Sequence, residues 1–211
     1  MAAPSDTFEF PRTGKKARNR AVVAAMTNKQ SNEDGTLSDE EINWLIRRAE
    51  GGFGIVTTAA THVVPEGQGW DGEMGVWGDH QLPGLNRLAT GINEHGAISL
   101  AQIFHGGMRC PQRLTGVQPV SASINSTSDS DNGETRELED SEIEELVEAF
   151  AIAAARCEKA GFHGVEIHGA HGYLVCQFLG TETNRREDRC CLLYTSPSPR
   201  DQRGSPMADC A

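Results

Sequence analysis

Four apolar runs of strand character alternate along the chain with amphipathic helical patterns, and this alternation restricts the fold more than any other feature. The runs are RAVVAAM (20–26), FGIVTTAA (53–60), AISLAQIF (97–104) and GVEIH (164–168). After the first run, SDEEINWLIRRAEGG places Ser38 and Glu41 as a capping box, with Ile42, Leu45, Ile46 and Ala49 on one face and Gly51 as the stop. LPGLNRLATGINEHG puts Leu82, Leu85, Leu88, Ala89 and Ile92 on one face; Gly91 weakens that helix and Gly96 ends it. The clearest helix is SEIEELVEAFAIAAARCEKAGF, with Ser141 and Glu144 as a capping box. Its apolar stripe is Ile143, Leu146, Val147, Phe150, Ala154 and Cys157, and Gly161 ends it.

The apolar runs are continuous, as in a parallel sheet covered on both faces, so the repeating unit is strand then helix. An open doubly wound sheet and a (β/α)8 barrel both fit. No GxGxxG follows the first run and no GxxxxGK[ST] occurs, which removes the usual marks of nucleotide-binding open sheets. The notable polar residues instead fall at the C-terminal ends of the runs: Met26-Thr27, Thr58 to Ala60, Gln102 with His105, and His168 with His171. Barrel enzymes gather their chemistry on that rim, so the α/β class is read as a (β/α)8 barrel, here its first four βα units. Residues 106–140, rich in Ser, Asp, Asn and Gly, read as a long structureless connection serving as an active-site lid.

Composition narrows the function. A net charge of −11 over 211 residues leaves no basic face for nucleic acid. No stretch approaches the roughly 18–20 apolar residues of a membrane span, and MAAPSDTFEF is unlike a signal peptide; a cytoplasmic location is the expectation. The six cysteines form no CxxC pair and no disulfide framework.

The sharpest local feature is HGAHGY, with His168 and His171 three apart and Tyr173 two further on. A zinc site needs three or four ligands, of which this pair supplies two, and HExxH is absent. Two turn histidines satisfied by backbone groups form a second reading. A third is a donor pair: two imidazole N–H groups converge on one ligand oxygen and Tyr173 delivers a proton. No GxSxG elbow or familiar cysteine nucleophile accompanies them, so on that reading a cofactor carries the redox chemistry.

From about residue 8 to about 189 the chain resembles the old yellow enzyme family of FMN-dependent NAD(P)H oxidoreductases. NRAVVAAMTN, RRAEGGFGIVTTAATHVVPEGQGW, AQIFHGG, PVSAS, AGFHGVEIHGAHGYLVCQFL and TNRREDR carry the resemblance, in that order. It implies a (β/α)8 barrel in which Ala25, Met26 and Thr27 line the flavin, Ala60 packs on its ring and Gln102 bonds its pyrimidine portion. It further implies that His168 and His171 bind the oxygen of an activated alkene, such as an enone. Hydride would pass from flavin N5 to the β-carbon, Tyr173 would protonate the α-carbon, and NAD(P)H would be the electron donor. The chain departs from the pattern at Ala25, where proline is usual, at Ala59, where glutamate is common, and at Met108, where arginine is common but Arg109 adjoins.

In such barrels the phosphate-binding arginine and glycine-rich turns follow later strands, so weak FMN binding and an inactive fragment are expected of this chain. Residues 1–189 read as the N-terminal half-barrel. Residues 190–211, CCLLYTSPSPRDQRGSPMADCA, read as a tail foreign to it or as a disordered native one. Four strands cannot close an eight-stranded barrel, which leaves a self-associating, non-catalytic half-barrel as one alternative. A metal-dependent barrel hydrolase using His168 and His171 is the other.

Overall fold

The structure, a computed structural model, describes residues 2–191. A hairpin of β1 (Phe8–Glu9) and β2 (Lys16–Ala17) precedes the main sheet. Ala17, Phe8 and Phe10 pack on Ile55, Ile98 and Leu100, so the hairpin stops the N-terminal end of the strands. The elements then run β3 (Val22–Val23), α1 (Asp39–Glu50), β4 (Ile55–His62), β5 (Met74–Gly75), α2 (Leu82–Glu94) and β6 (Ile98–Phe104). They continue as α3 (Gln112–Thr115), β7 (Val120–Ser121), β8 (Arg136–Glu137), α4 (Asp140–Lys159), β9 (Gly164–Ile167) and α5 (Leu174–Leu179).

The main sheet is parallel, in the order β3-β4-β6-β9, with β5 paired to the end of β4. A doubly wound sheet reverses its strand order at a switch point; this one does not. Helix α1 packs on α2 and α2 on α4, and each helix lies against the strands, as in one quadrant after another of a barrel wall. Between sheet and helices Leu45, Val56, Leu85, Leu88, Ile92, Ala101 and Ile103 form the core.

Local sequence explains most elements and corrects some expectations. Ser38 caps α1 by accepting from the Glu41 N–H at 3.1 Å, but Glu41 does not complete the box. Its buried carboxylate turns instead to Asn28 Nδ2 at 2.8 Å and to the Ser31 hydroxyl. Gly91 marks a close approach: a Cβ there would lie 2.2 Å from Ile46 Cδ1, so the glycine lets α1 and α2 pack. The α4 cap sits two residues earlier than the sequence pattern places it. Glu139 is the N-cap and Glu142 accepts from its N–H at 2.8 Å, because Arg136 fixes Glu142 and Arg189 takes Glu144.

The first strand is shorter than RAVVAAM, since among the described residues β3 has only β4 beside it and residues 24–26 leave the sheet. The stripe on α4 is only partly covered. Ala153 and Cys157 are buried, whereas Val147 is 66% exposed along an open apolar groove of about 630 Å3. Strand β9 forms the other wall of that groove and, among the described residues, pairs only with β6, leaving Ile167 exposed.

Residues 106–140 are not structureless. They carry α3 and the β7–β8 pair, and they are tied down by a buried polar cluster. Asn125 Nδ2 donates to Ser121, Ser123 and Thr183, while Arg185 binds Asn125 and Ser123. Ser and Asn therefore act here as interior hydrogen-bonding groups, the opposite of their role in a solvated loop. The expected foreign tail lies outside the described residues from 192 onward.

Candidate active site

The C-terminal ends of β3, β4, β6 and β9 meet at a cavity of about 100 Å3 lined by Ala25, Thr27, Ala60, Trp70, Gln102, His168, His171 and Tyr173. Every site residue expected from the sequence except Met26 is among them. Met26 is half exposed and does not line the cavity. About three water volumes fit the space, which is the size of a carbonyl-bearing head rather than of a whole flavin.

Each wall has a local cause. Ala25 and Thr27 follow β3 on a turn whose next residues, Asn28 and Ser31, are anchored by Glu41 from α1. Burial holds the Glu41 carboxyl above the ordinary range, and those two hydrogen bonds oppose it. In β4 the register against β6 slips between Thr57 and Ala60, a bulge. There the Thr58 hydroxyl accepts the Gln102 N–H at 3.0 Å, and Ala60 is presented to the cavity. Gln102 extends its amide Nε2–H to Glu166 on β9 at 2.5 Å.

The turn after β9 carries His171 and Tyr173. His171 has φ of 57° and Gly172 φ of 71°, so the chain reverses through two left-handed residues and brings Tyr173 back over His168. Such a φ costs a non-glycine residue roughly 1 kcal/mol. The His168 and His171 ring centroids lie 5.1 Å apart, and His168 to Tyr173 is 4.9 Å, both edge to face. The Ala170 N–H donates to His168 Nδ1 at 3.3 Å, which leaves the His168 proton on Nε2. Burial and the neighbouring His171 hold the His168 pKa below its ordinary value, so at neutral pH the ring is a neutral N–H donor. Burial raises the Tyr173 pKa, with Arg109 opposing, so the phenol keeps its proton.

Several residues beyond the expected site contribute, among them Arg109, noted in the sequence only as the neighbour of Met108. Arg109 lies 5.2 Å from the Tyr173 ring centroid and donates to the His171 carbonyl at 2.9 Å, bracing the turn. Buried Gln177 donates to the Gly172 carbonyl at 2.7 Å and accepts the Met108 N–H at 3.2 Å, locking two rim turns together. A lone glutamine in the apolar segment LVCQFL is a signal the sequence does offer. Trp70, 6.3 Å from Tyr173 and 5.4 Å from Phe104, offers none.

Among the described residues no third His, Cys, Asp or Glu joins His168 and His171 in a metal-sized group. The one such group, Asp140, Asp188 and Cys190, has both carboxylates already bonded to Arg186. The small Ala25 and Ala60, the Gln102 amide and the Thr27 hydroxyl suit the edge and face of a planar polar ring. Among the described residues no lysine or arginine lines the cavity to take a phosphate.

Fold and site together define half of a parallel (β/α)8 barrel with a two-imidazole donor site and a phenol at its C-terminal rim. Residues 12–191 match the NADH:flavin oxidoreductase / NADH oxidase family, and the chain belongs to it. It is 42% identical over 186 residues to a Bacillus subtilis (strain 168) protein named probable NADH-dependent flavin oxidoreductase YqiG, covering 87% of this chain and 49% of that one. It is 39% identical to the NADH:acrylate oxidoreductase of Vibrio harveyi, over 90% of this chain and 19% of that protein. The old yellow enzyme homologue from Zymomonas mobilis superposes with a TM-score of 0.81 at 30% identity, over 90% of this chain and 54% of that one. The chain thus spans about half the length of the Bacillus relative.

Proposed function

We propose that the chain carries the ring-facing and substrate-binding half of an FMN-dependent NAD(P)H oxidoreductase that reduces activated alkenes. One observation carries this reading: His168, His171 and Tyr173 converge with Ala25, Thr27, Ala60 and Gln102 on a single cavity. The flavin, when bound, supplies the hydride. His168 Nε2–H and the His171 ring take the carbonyl oxygen of the alkene, polarise it and hold it in register. Tyr173 keeps its proton until charge develops on the α-carbon, then donates it. Ala25 and Ala60 leave room for a ring face, and Gln102, steadied by Glu166, meets its polar edge. A relative named for acrylate, an electron-poor alkene, agrees with this substrate class.

The described half offers no cation to a phosphate at this cavity, so phosphate adds little to affinity. Titrating the 211-residue chain with lumiflavin and with FMN tests this, read by flavin fluorescence. The two are expected to bind weakly and within about threefold of each other, since a phosphate without a charge partner gains little. Saturable FMN binding at least 100-fold tighter than lumiflavin would place a phosphate site in this chain and contradict the reading.

A further inference from the structure

Behind the cavity lies a buried polar chain of three side chains. The Trp77 Nε1–H donates to His62 Nε2 at 3.1 Å, and His62 Nδ1 meets Glu73 Oε1 at 3.1 Å. Glu73 Oε2 accepts the Gly69 N–H at 2.7 Å and the Trp70 N–H at 3.3 Å. His62 and Glu73 are 2% and 1% exposed. The directions of these bonds are fixed by elimination. The indole can only donate, so His62 Nε2 accepts and the imidazole proton sits on Nδ1, which then donates to Glu73. The two backbone amides can also only donate. All four contacts pair a donor with an acceptor when Glu73 is a carboxylate and His62 is neutral.

We propose that Glu73, oriented by His62 and Trp77, is the positioning residue that sets Trp70 as a wall of the candidate site. The proposal rests on reading the cavity as the alkene site. Glu73 holds the Trp70 N–H while Gln68 Nε2 holds its carbonyl at 3.1 Å, so the backbone of this residue is clamped on both sides. The indole is thereby laid against Phe104 and Tyr173. Gly69 sits close to both partners, since a Cβ there would stand 3.4 Å from Glu73 Oε2 and from Phe104 Cζ, in van der Waals contact. Burial depresses the His62 pKa to about 4, which keeps the ring neutral and able to accept from Trp77. Burial also raises Glu73 well above the ordinary carboxylate range, against the pull of the Gly69 and Trp70 amides. Glu73, His62 and Trp77 do not line the cavity themselves; their effect on a substrate passes through Trp70.

Glu73→Gln separates this role from simple support. A carboxamide cannot accept on both atoms, so it releases either the 69–70 backbone or, by flipping the His62 tautomer, the Trp77 indole. Amide and indole exchange of the labelled chain reads this directly by NMR. Gly69 and Trp70 amides, or the Trp77 Nε1–H, are expected to exchange about ten- to a hundredfold faster, as loss of a charge-assisted hydrogen bond implies. The Gln177-bound Met108 amide, on the same rim but outside the Trp77-His62-Glu73 network, stays as in the parent. Cyclohex-2-enone affinity is expected to fall about three- to tenfold.

If Glu73→Gln does not fold, a pair at His62 gives the same answer. His62→Gln can donate to Glu73 and accept from Trp77 and should keep the Gly69 and Trp70 amides protected; His62→Leu should release them. Acceleration spread evenly over all core amides, or equal protection in His62→Gln and His62→Leu, would overturn the proposal. If cyclohex-2-enone leaves the unaltered chain unshifted, the alkene-site reading fails, and the exchange data still decide whether Glu73 positions Trp70.

Discussion

His62 and His168 stand at the ends of β4 and β9, on either side of β6 in the same sheet, and their surroundings assign them opposite work. Both ring nitrogens of His62 are used inside the protein, by Trp77 and Glu73. His168 uses only Nδ1 internally, with Ala170, and its ring lines a cavity. The first imidazole is a strut and the second a donor with its N–H available to a ligand. Identity of residue type and proximity to a strand end do not separate them; the accounting of each nitrogen does. Between the two regions stands Phe104, fully buried, 5.4 Å from Trp70 and 5.0 Å from Tyr173 by ring centroids.

Phe104 is therefore where the contrast breaks most forcefully. Phe104→Ala should lower stability by about 3–5 kcal/mol, measured by urea unfolding, because the cavity it leaves lies between two regions that cannot both collapse into it. Near-UV circular dichroism should show Trp70 and Tyr173 losing their fixed environments together. Loss at only one of them would mean the two regions are not mechanically joined.

Acid sharpens the contrast next. The His62 pKa is lowered to about 4 and that of His105 to about 3, both chiefly by burial, from an ordinary value of 6.5. The unfolded chain takes up these protons below pH 6.5 while the folded chain refuses them. Their stabilising contribution is present above 6.5 and is lost as pH falls toward 4 and then 3. Glu73, whose folded value is raised, acts in the opposite sense and loses stability as pH rises. Between pH 7 and pH 4.5 stability should fall, because two histidines outweigh one carboxyl, and the urea midpoint follows it. His105→Gln should flatten that curve; an unchanged curve would mean His105 is not a neutral buried ring. Its Nε2 has no hydrogen-bond partner among the described residues.

The smallest effect concerns the turn. His171→Gly relieves left-handed strain of roughly 1 kcal/mol but adds backbone freedom, so stability should rise by about 0.5 kcal/mol while one donor is lost. A loss of stability in the urea midpoint would mean that the His171 ring supports the fold.

How much of this was legible in the sequence follows from how far each contact reaches. The helices α1, α2 and α4 were readable because their caps and stripes are local, although the α4 cap slipped by two residues when Arg136 claimed Glu142. Gln102, Ala60 and His168 were readable as rim residues because strand ends are marked by the close of apolar runs. The β4 bulge was not, since it depends on which residue of β6 pairs with Ala60. Glu73, His62 and Trp77 were missed because nothing in their sequence spacing says that a glutamate, a histidine and a tryptophan will be buried together. The 106–140 segment misled because Ser and Asn look alike in sequence whether they face water or each other.

The central claim is that His168 and His171 are oxygen-binding donors while His62 and His105 are not. The direct measurement is a 15N-histidine NMR titration of the chain with cyclohex-2-enone at neutral pH, followed by the same titration with zinc. The expected result is saturable movement of the His168 and His171 ring signals with the enone, with His62 and His105 unmoved. Ring signals that ignore the enone and shift on binding one equivalent of zinc would contradict it.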